Sequence, residues 1–173
     1  MKYTILLVVL IAGCTPVATY PPVETDLALT FSNSSNEPVP TIISESLKYA
    51  HEHFGGMDTI VFNLPDGVSD ETYRIVSDKL GGAVPMKNSE QVSFHIIELR
   101  KRPFKAEVDI VFPSSSGNYE QATIYLASSL IDPWSVTRDR VWLVPVSKLP
   151  APNYGGSSET SELVGVDEST DEQ

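Results

Sequence analysis

The chain has 173 residues and a formal net charge of −11, with 41% hydrophobic and 20% charged residues. These proportions are ordinary for a folded protein, and the length suits one domain with a single core. Acidic residues are concentrated after Lys148, the last basic residue, and no basic stripe is present to neutralise a phosphate backbone. We therefore expect no nucleic-acid binding.

The first residues have the layout of an export signal. Lys2 precedes an uncharged, mostly aliphatic run over residues 3–11, and the small residues Ala12 and Gly13 follow. The run is shorter than the roughly 20 residues that a helix needs to span a bilayer. We expect residues 1–13 to be a cleaved signal peptide rather than a transmembrane anchor.

The end of this segment, Ile11-Ala12-Gly13-Cys14, resembles the lipobox of bacterial lipoproteins, in which an aliphatic residue and two small residues precede a cysteine. The resemblance implies cleavage before Cys14 and attachment of diacylglycerol to its sulfur, which would anchor the protein in a membrane. Cys14 is the chain's only cysteine, so an intramolecular disulfide is excluded. The alternative is an ordinary signal peptide with an incidental cysteine.

The residue after the cysteine bears on which membrane receives the protein. In Gram-negative lipoproteins an Asp at this position favours retention in the inner membrane, whereas this chain has Thr15. The resemblance therefore implies the extracytoplasmic side of the cell envelope, and the outer membrane if the host is Gram-negative.

The composition divides the mature chain into three parts. Residues 14–40 are rich in Pro, Thr, Ser and Asn, which predicts a disordered tether, although Leu27, Leu29 and Phe31 alternate as in an edge strand. Residues 41–148 have the patterns of a folded domain. Residues 149–173 are predicted to form a disordered acidic tail.

The folded part begins with a helix, a strand and a second helix. Thr41 is the predicted N-cap of the first helix, which Gly55 ends, and a strand is predicted over residues 59–64. Ser69 or Asp70 is predicted to cap the second helix. The predicted buried positions at helical spacing are Ile43, Leu47, Ala50 and Phe54, then Tyr73, Val76 and Leu80.

The second half of the domain has the alternating pattern of strands joined by hairpin-length loops. This pattern predicts an antiparallel meander, and hence an α+β fold with two helices packed on a curved, mostly antiparallel sheet. The alternation changes parity between Ile96 and Ile97, which indicates a bulge, a strand buried on both faces, or a misassigned strand. The element order resembles nuclear transport factor 2-like folds, a resemblance that implies no activity because that fold hosts both enzymes and binding modules.

Two histidines on the first helix are the most conspicuous candidates for a metal site. His51 and His53 are two residues apart, so their side chains point about 200° apart around a helix and cannot share one ion. Metal-binding helices place two histidines four residues apart. We predict polar residues at a helix end, with no metal and no cofactor.

His95, Glu107 and Asp109 are the candidate ligands or acid-base groups. Glu107 and Asp109 are two residues apart on a strand and therefore share a face. Arg100 and Arg102 lie across the predicted turn, so cross-strand ion pairs are the competing interpretation. No catalytic residue is predicted.

Arg138 and Arg140 likewise share a face of a predicted strand. A basic patch here would suit anionic lipid headgroups or an acidic partner, and a solvated face is the alternative interpretation.

These observations favour a non-enzymatic, lipid-anchored envelope protein with a small binding or structural domain. Its predicted partner is the membrane, through Cys14. One alternative is an enzyme or small-molecule binder whose pocket between sheet and helices uses His95, Glu107 or Asp109. Another is a subunit of an envelope complex, with another envelope protein as partner, which would expose an apolar patch or an unpaired sheet edge.

Overall fold

The structure, a computed structural model, describes residues 18–24, 33–55, 57–142, 144 and 146–155. The described residues form two helices and one seven-stranded mixed sheet, which confirms the predicted α+β class. The helices are α1 (Val39–His53) and α2 (Asp70–Lys79). The strands are β1 (Ala18–Tyr20), β2 (Val61–Asn63), β3 (Val84–Pro85), β4 (Phe94–Lys101), β5 (Lys105–Pro113), β6 (Tyr119–Ala127) and β7 (Ser135–Trp142).

The strand order across the sheet is β3-β2-β4-β5-β6-β7, with β1 beside β4. Strands β4 to β7 form the predicted antiparallel meander, and β2 runs parallel to both β3 and β4. Along one edge of β4, β2 pairs with its first residues and β1 with its last. Ala18 faces Lys101, so β1 starts at the end of the sheet where β4 finishes.

One face of the sheet packs against the helices. The even-numbered apolar residues of β5, from Ala106 to Phe112, join one core with Leu47 of α1 and Val76 of α2. The ring of Phe112 stacks on that of Phe54, just after α1, at 4.5 Å between centroids. The odd-numbered residues of β5 lie on the opposite face, since successive side chains of a strand alternate. We call this opposite side the open face.

The two helices start differently. Helix α1 begins at Val39, three residues before the start predicted from Thr41 as N-cap, and has no side-chain hydrogen bond at its N-cap. Pro40 is accommodated in the first turn because no backbone N–H is required for helical hydrogen bonds there. Helix α2 starts as predicted, because Ser69 is its N-cap and accepts a hydrogen bond from the N–H of Thr72.

The change of parity in β4 is a β-bulge. Ile96 pairs with Ile110 and Glu98 pairs with Asp109, so Ile97 is an extra residue opposite this pair of neighbours. The bulge explains why the buried positions change from even to odd along one strand. One of the three interpretations of the sequence pattern is thereby confirmed.

The prediction of a disordered tether over residues 14–40 is wrong for two described segments. Ala18–Tyr20 forms the buried strand β1, because pairing with β4 satisfies its backbone and Ala18 and Tyr20 join the core. Ser34 is also buried, and its hydroxyl accepts a hydrogen bond from the N–H of Ser69. The strand predicted around Leu27 and Phe31 lies outside the described residues.

The predicted disordered tail over 149–173 is wrong for residues 149–155. The side chain of Asn63 donates a hydrogen bond to the carbonyl of Ala151 at 2.7 Å, and Asn153 donates to the carbonyl of Leu64 at 2.8 Å. The ring of Tyr154 also lies against that of Tyr73. Specific hydrogen bonds to core residues hold this segment despite its composition, and the acidic end of the chain lies outside the described residues.

Candidate functional site

Glu107 and Asp109 share the open face, as predicted, and both are ion-paired. The guanidinium of Arg100 lies 2.8 Å from a carboxylate oxygen of Asp109 and 3.5 Å from one of Glu107. Arg102 lies 2.6 Å from Glu107. Neighbouring strands place these charges side by side, since Arg100 is the register partner of Glu107. Cross-strand ion pairing therefore describes both carboxylates.

Both carboxylate oxygens of Asp109 have hydrogen-bond partners. The hydroxyl of Thr123 donates to its second carboxylate oxygen, and the indole N–H of Trp142 donates to Thr123 at 3.1 Å. Burial alone would lower the pKa of Arg100, but the hydrogen bonds to Asp109 and Glu98 outweigh burial and raise it. Arg100 thus stays charged, and Asp109 has an ion-pair partner on one oxygen and a hydroxyl on the other.

The predicted pair Arg138 and Arg140 also lies on the open face, and both guanidinium groups stack on aromatic rings. Arg138 lies 4.1 Å from the centroid of the Tyr125 ring, and Arg140 lies 4.1 Å from that of Trp142. Such cation-π contacts fix the charges against the sheet while leaving them at its surface.

His95 is fully buried and its imidazole has no exposed surface. Its Nε2 lies 3.1 Å from the hydroxyl of Ser93, and the ring meets that of Tyr119 edge-on. Nδ1 has no hydrogen-bond partner among the described atoms. Burial lowers the pKa of His95 to about 4. A neutral imidazole without access to solvent is a structural residue, and it is unsuited to exchange protons with a ligand.

The histidines of α1 bind the chain itself. His51 lies 2.6 Å from the carbonyl oxygen of Met57, through Nε2, and His53 lies 2.9 Å from that of Tyr49, through Nδ1. The described residues contain no group of three His, Cys, Asp or Glu side chains that could hold a metal ion.

The exposed surface that the sequence analysis missed lies where two loops meet at one end of the sheet. The β4–β5 turn (residues 102–104) and the β6–β7 loop (residues 128–134) are joined by a hydrogen bond from the N–H of Ser128 to the carbonyl of Phe104. Leu130 is 90% exposed, Ile131 91% and Phe104 49%. We call these two loops the loop end.

The loop end continues into a groove on the open face. The groove has a volume of about 770 Å³, and Arg102, Glu107, Tyr125 and Arg138 are among its lining residues. Ala18, the first residue of β1, pairs with Lys101 immediately before the β4–β5 turn. The loop end therefore combines exposed apolar side chains, a polar groove and the start of β1.

The sequence contains a pattern from which this exposed surface could have been predicted. Leu130 and Ile131 are adjacent aliphatic residues inside a segment of turn-forming residues, Ser128, Ser129, Asp132 and Pro133, between two strands. Burial in a sheet does not explain apolar residues in a tight connection, so this pattern predicts an exposed apolar surface.

Cys14 lies outside the described residues. No helix among the described residues is long and apolar enough to cross a bilayer. In the comparisons with known proteins, the chain matches no family model, no curated protein and no solved structure.

Proposed function

We propose that this protein is a lipoprotein of the bacterial cell envelope, anchored by acyl chains on Cys14 and carrying a small non-enzymatic domain for binding or structural support. The observation that carries the proposal is the sequence Ile11-Ala12-Gly13-Cys14 at the end of an apolar segment. Each buried methylene contributes about 0.8 kcal/mol, and two or more acyl chains are needed for stable attachment. Thr15 after the cysteine supports outer-membrane sorting in a Gram-negative host.

The placement of the candidate residues supports a non-enzymatic role. Glu107 and Asp109 are on the sheet face opposite the helices and are engaged by Arg100. His95 has no exposed surface. The alternative enzyme or small-molecule binder required at least one of these side chains in a space between sheet and helices, and their positions disfavour it.

A subunit of an envelope complex is the second candidate function. Strand β7 is the last strand in the sheet order, and five of its eight residues are exposed, so its outer edge resembles the edges to which partner strands add. Arg138, Asp139 and Arg140 in the middle of β7 are the kind of charged residues that protect an edge. The membrane is therefore the partner that we favour.

The test of the anchor is the intact mass of the protein extracted from membranes. We expect a mature chain that begins at Cys14 and carries the added mass of diacylglycerol and further acyl groups. A Cys14→Ser variant should lack this mass and leave the membrane fraction, whereas a Thr15→Ser control should keep both. An unmodified cysteine in membrane-extracted protein would contradict the proposal.

A further inference from the structure

We propose that the loop end inserts Leu130, Ile131 and Phe104 into the bilayer that holds the acyl chains of Cys14, so that the sheet stands on the membrane at this end. The proposal rests on the lipid anchor proposed above and adds an orientation and a second contact with the membrane.

The position of β1 brings the anchor to the loop end. Because β1 is antiparallel to β4, the chain enters the sheet beside Lys101, immediately before the β4–β5 turn. Cys14 is four residues before Ala18. Four residues extend at most about 14 Å. The bilayer surface must then lie within this reach of Ala18, which is at the loop end of the sheet.

The other end of the sheet lies beyond the reach of the anchor. Strand β5 has nine residues, and a strand rises about 3.3 Å per residue, which gives a length of about 30 Å. The β5–β6 loop around Ser115 is at the far end of this strand. The short link between Cys14 and Ala18 therefore keeps the loop end close to the lipid, whereas the Ser115 loop lies about 30 Å farther along the sheet.

Hydrogen bonds close the β6–β7 loop around its apolar apex. The hydroxyl of Ser129 accepts hydrogen bonds from the N–H groups of Ile131, at 3.2 Å, and Asp132, at 3.0 Å. The N–H of Ser129 donates to the carbonyl of Asp132. These contacts satisfy the backbone N–H groups of Ser129, Ile131 and Asp132, which would be costly to leave unpaired near hydrocarbon. Leu130 and Ile131 form the apex of this closed turn.

Basic side chains lie beside Phe104, in the groove next to the apolar apex. Lys105 is exposed at the start of β5, and Arg102 and Arg138 line the groove behind Phe104. Glu107, which pairs with Arg102, and Asp132, which follows Ile131 in the β6–β7 loop, partly offset their charge. An apolar tip with cations behind it matches a bilayer, whose hydrocarbon lies beneath phosphate groups.

A bilayer fits this surface better than a second copy or another protein. Stable protein interfaces bury about 800 Å² on each partner and involve 20 to 30 residues a side. The exposed apolar surface here consists of three side chains on two adjoining loops. Such a small tip suits shallow insertion beside an existing anchor, for which no large interface is required.

The test places a nitroxide on the full-length lipidated protein. Lipidation consumes the thiol of Cys14, so Ile131→Cys supplies the free thiol for labelling, and Ser115→Cys is the matched control at the opposite end. Ile131 is almost fully exposed, so its replacement leaves the core intact. Each protein is reconstituted in vesicles of phosphatidylethanolamine and phosphatidylglycerol, and spin relaxation is measured with oxygen, which concentrates in lipid, and with a water-soluble nickel chelate.

We expect oxygen to dominate relaxation of the label at position 131 and the nickel chelate to dominate at position 115. Equal access of the chelate to both labels would overturn the proposal, because both ends would then be in water. A label at position 131 shielded from both reagents would also overturn it, in favour of a protein partner or a second copy. The intact mass tests lipidation of Cys14 separately from insertion of the loop end. A lipidated protein whose label is exposed to water would refute the insertion but not the lipid anchor.

Discussion

Arg100 engages the candidate acid-base groups Glu107 and Asp109 in ion pairs between strands. Its guanidinium lies 2.8 Å from both Glu98 and Asp109, and its side chain is only 23% exposed. Hydrogen bonds to charged groups contribute about 1.5–3 kcal/mol each when they are shielded from water. The exposed pairs of Arg74 on α2 lack this shielding. The ion pairs of Glu107 and Asp109 with Arg100 thus stabilise the pairing of β4 with β5.

His95 predicts a pH dependence of stability. Burial lowers its pKa to about 4, whereas an unfolded chain has a histidine pKa of about 6.5. Between these values the unfolded state binds one more proton, so the free energy of unfolding falls as the pH falls, by about 1.4 kcal/mol per pH unit. Replacing His95 by Gln should remove this contribution between pH 6.5 and pH 4, as measured by urea unfolding at a series of pH values.

The matched control is His53→Gln, because His53 is exposed and lies at the end of α1. We expect the control to keep the pH slope of the unsubstituted protein. If His95→Gln and the unsubstituted protein lose stability in parallel on acidification, then His95 takes up its proton in the folded state and the burial argument fails.

At the scale of elements, the sequence was informative where a long regular pattern existed. The alternating pattern predicted the meander that contains β5 and β6, and the break in parity at Ile97 offered the bulge as one of three interpretations. Strand β1 could not be predicted in the same way. Three residues are too short for a periodic pattern, and their strand conformation depends on pairing with β4, which is eighty residues away.

The bulge makes β4 unusually tolerant of a deletion. Removing Ile97 should leave Ile96 opposite Ile110 and Glu98 opposite Asp109, because Ile97 is the extra residue between these pairs. The alternation of faces then continues without interruption. We expect this deletion variant to fold cooperatively, as judged by circular dichroism and a single urea transition.

Deletion of Val111 from the unbulged strand β5 is the matched control. It would turn Phe112 from the core to the open face and separate it from Phe54. We expect this variant to lose cooperative unfolding. Equal behaviour of the two deletion variants would show that Ile97 does not act as an insertion.

At the scale of the whole molecule, the sequence predicted which residues share a face but not what surrounds them. The spacing along the strand and the position of the turn predicted the ion pairs of Glu107 and Asp109 with their basic partners. The loop end could not be predicted in this way, because it is formed by two loops that the meander brings together and by a strand from the N-terminal region. The resemblance to nuclear transport factor 2-like folds stays a prediction.

The proposed orientation on the membrane could depend on the short link to Cys14 or on lipid binding by the loop end itself. Lengthening the link separates these two contributions. Inserting about 20 Gly and Ser residues between Thr15 and Pro16 adds a flexible segment with an end-to-end distance of about 25 Å. Full burial of a Leu or Ile side chain is worth about 1.5–3 kcal/mol. If the apolar tip binds lipid itself, the label at Ile131→Cys should stay in the bilayer despite the longer link. Adding Leu130→Asp should then release it, because a carboxylate opposes insertion. Release by the linker alone would mean that the short anchor, and not the loop end, holds the domain at the surface.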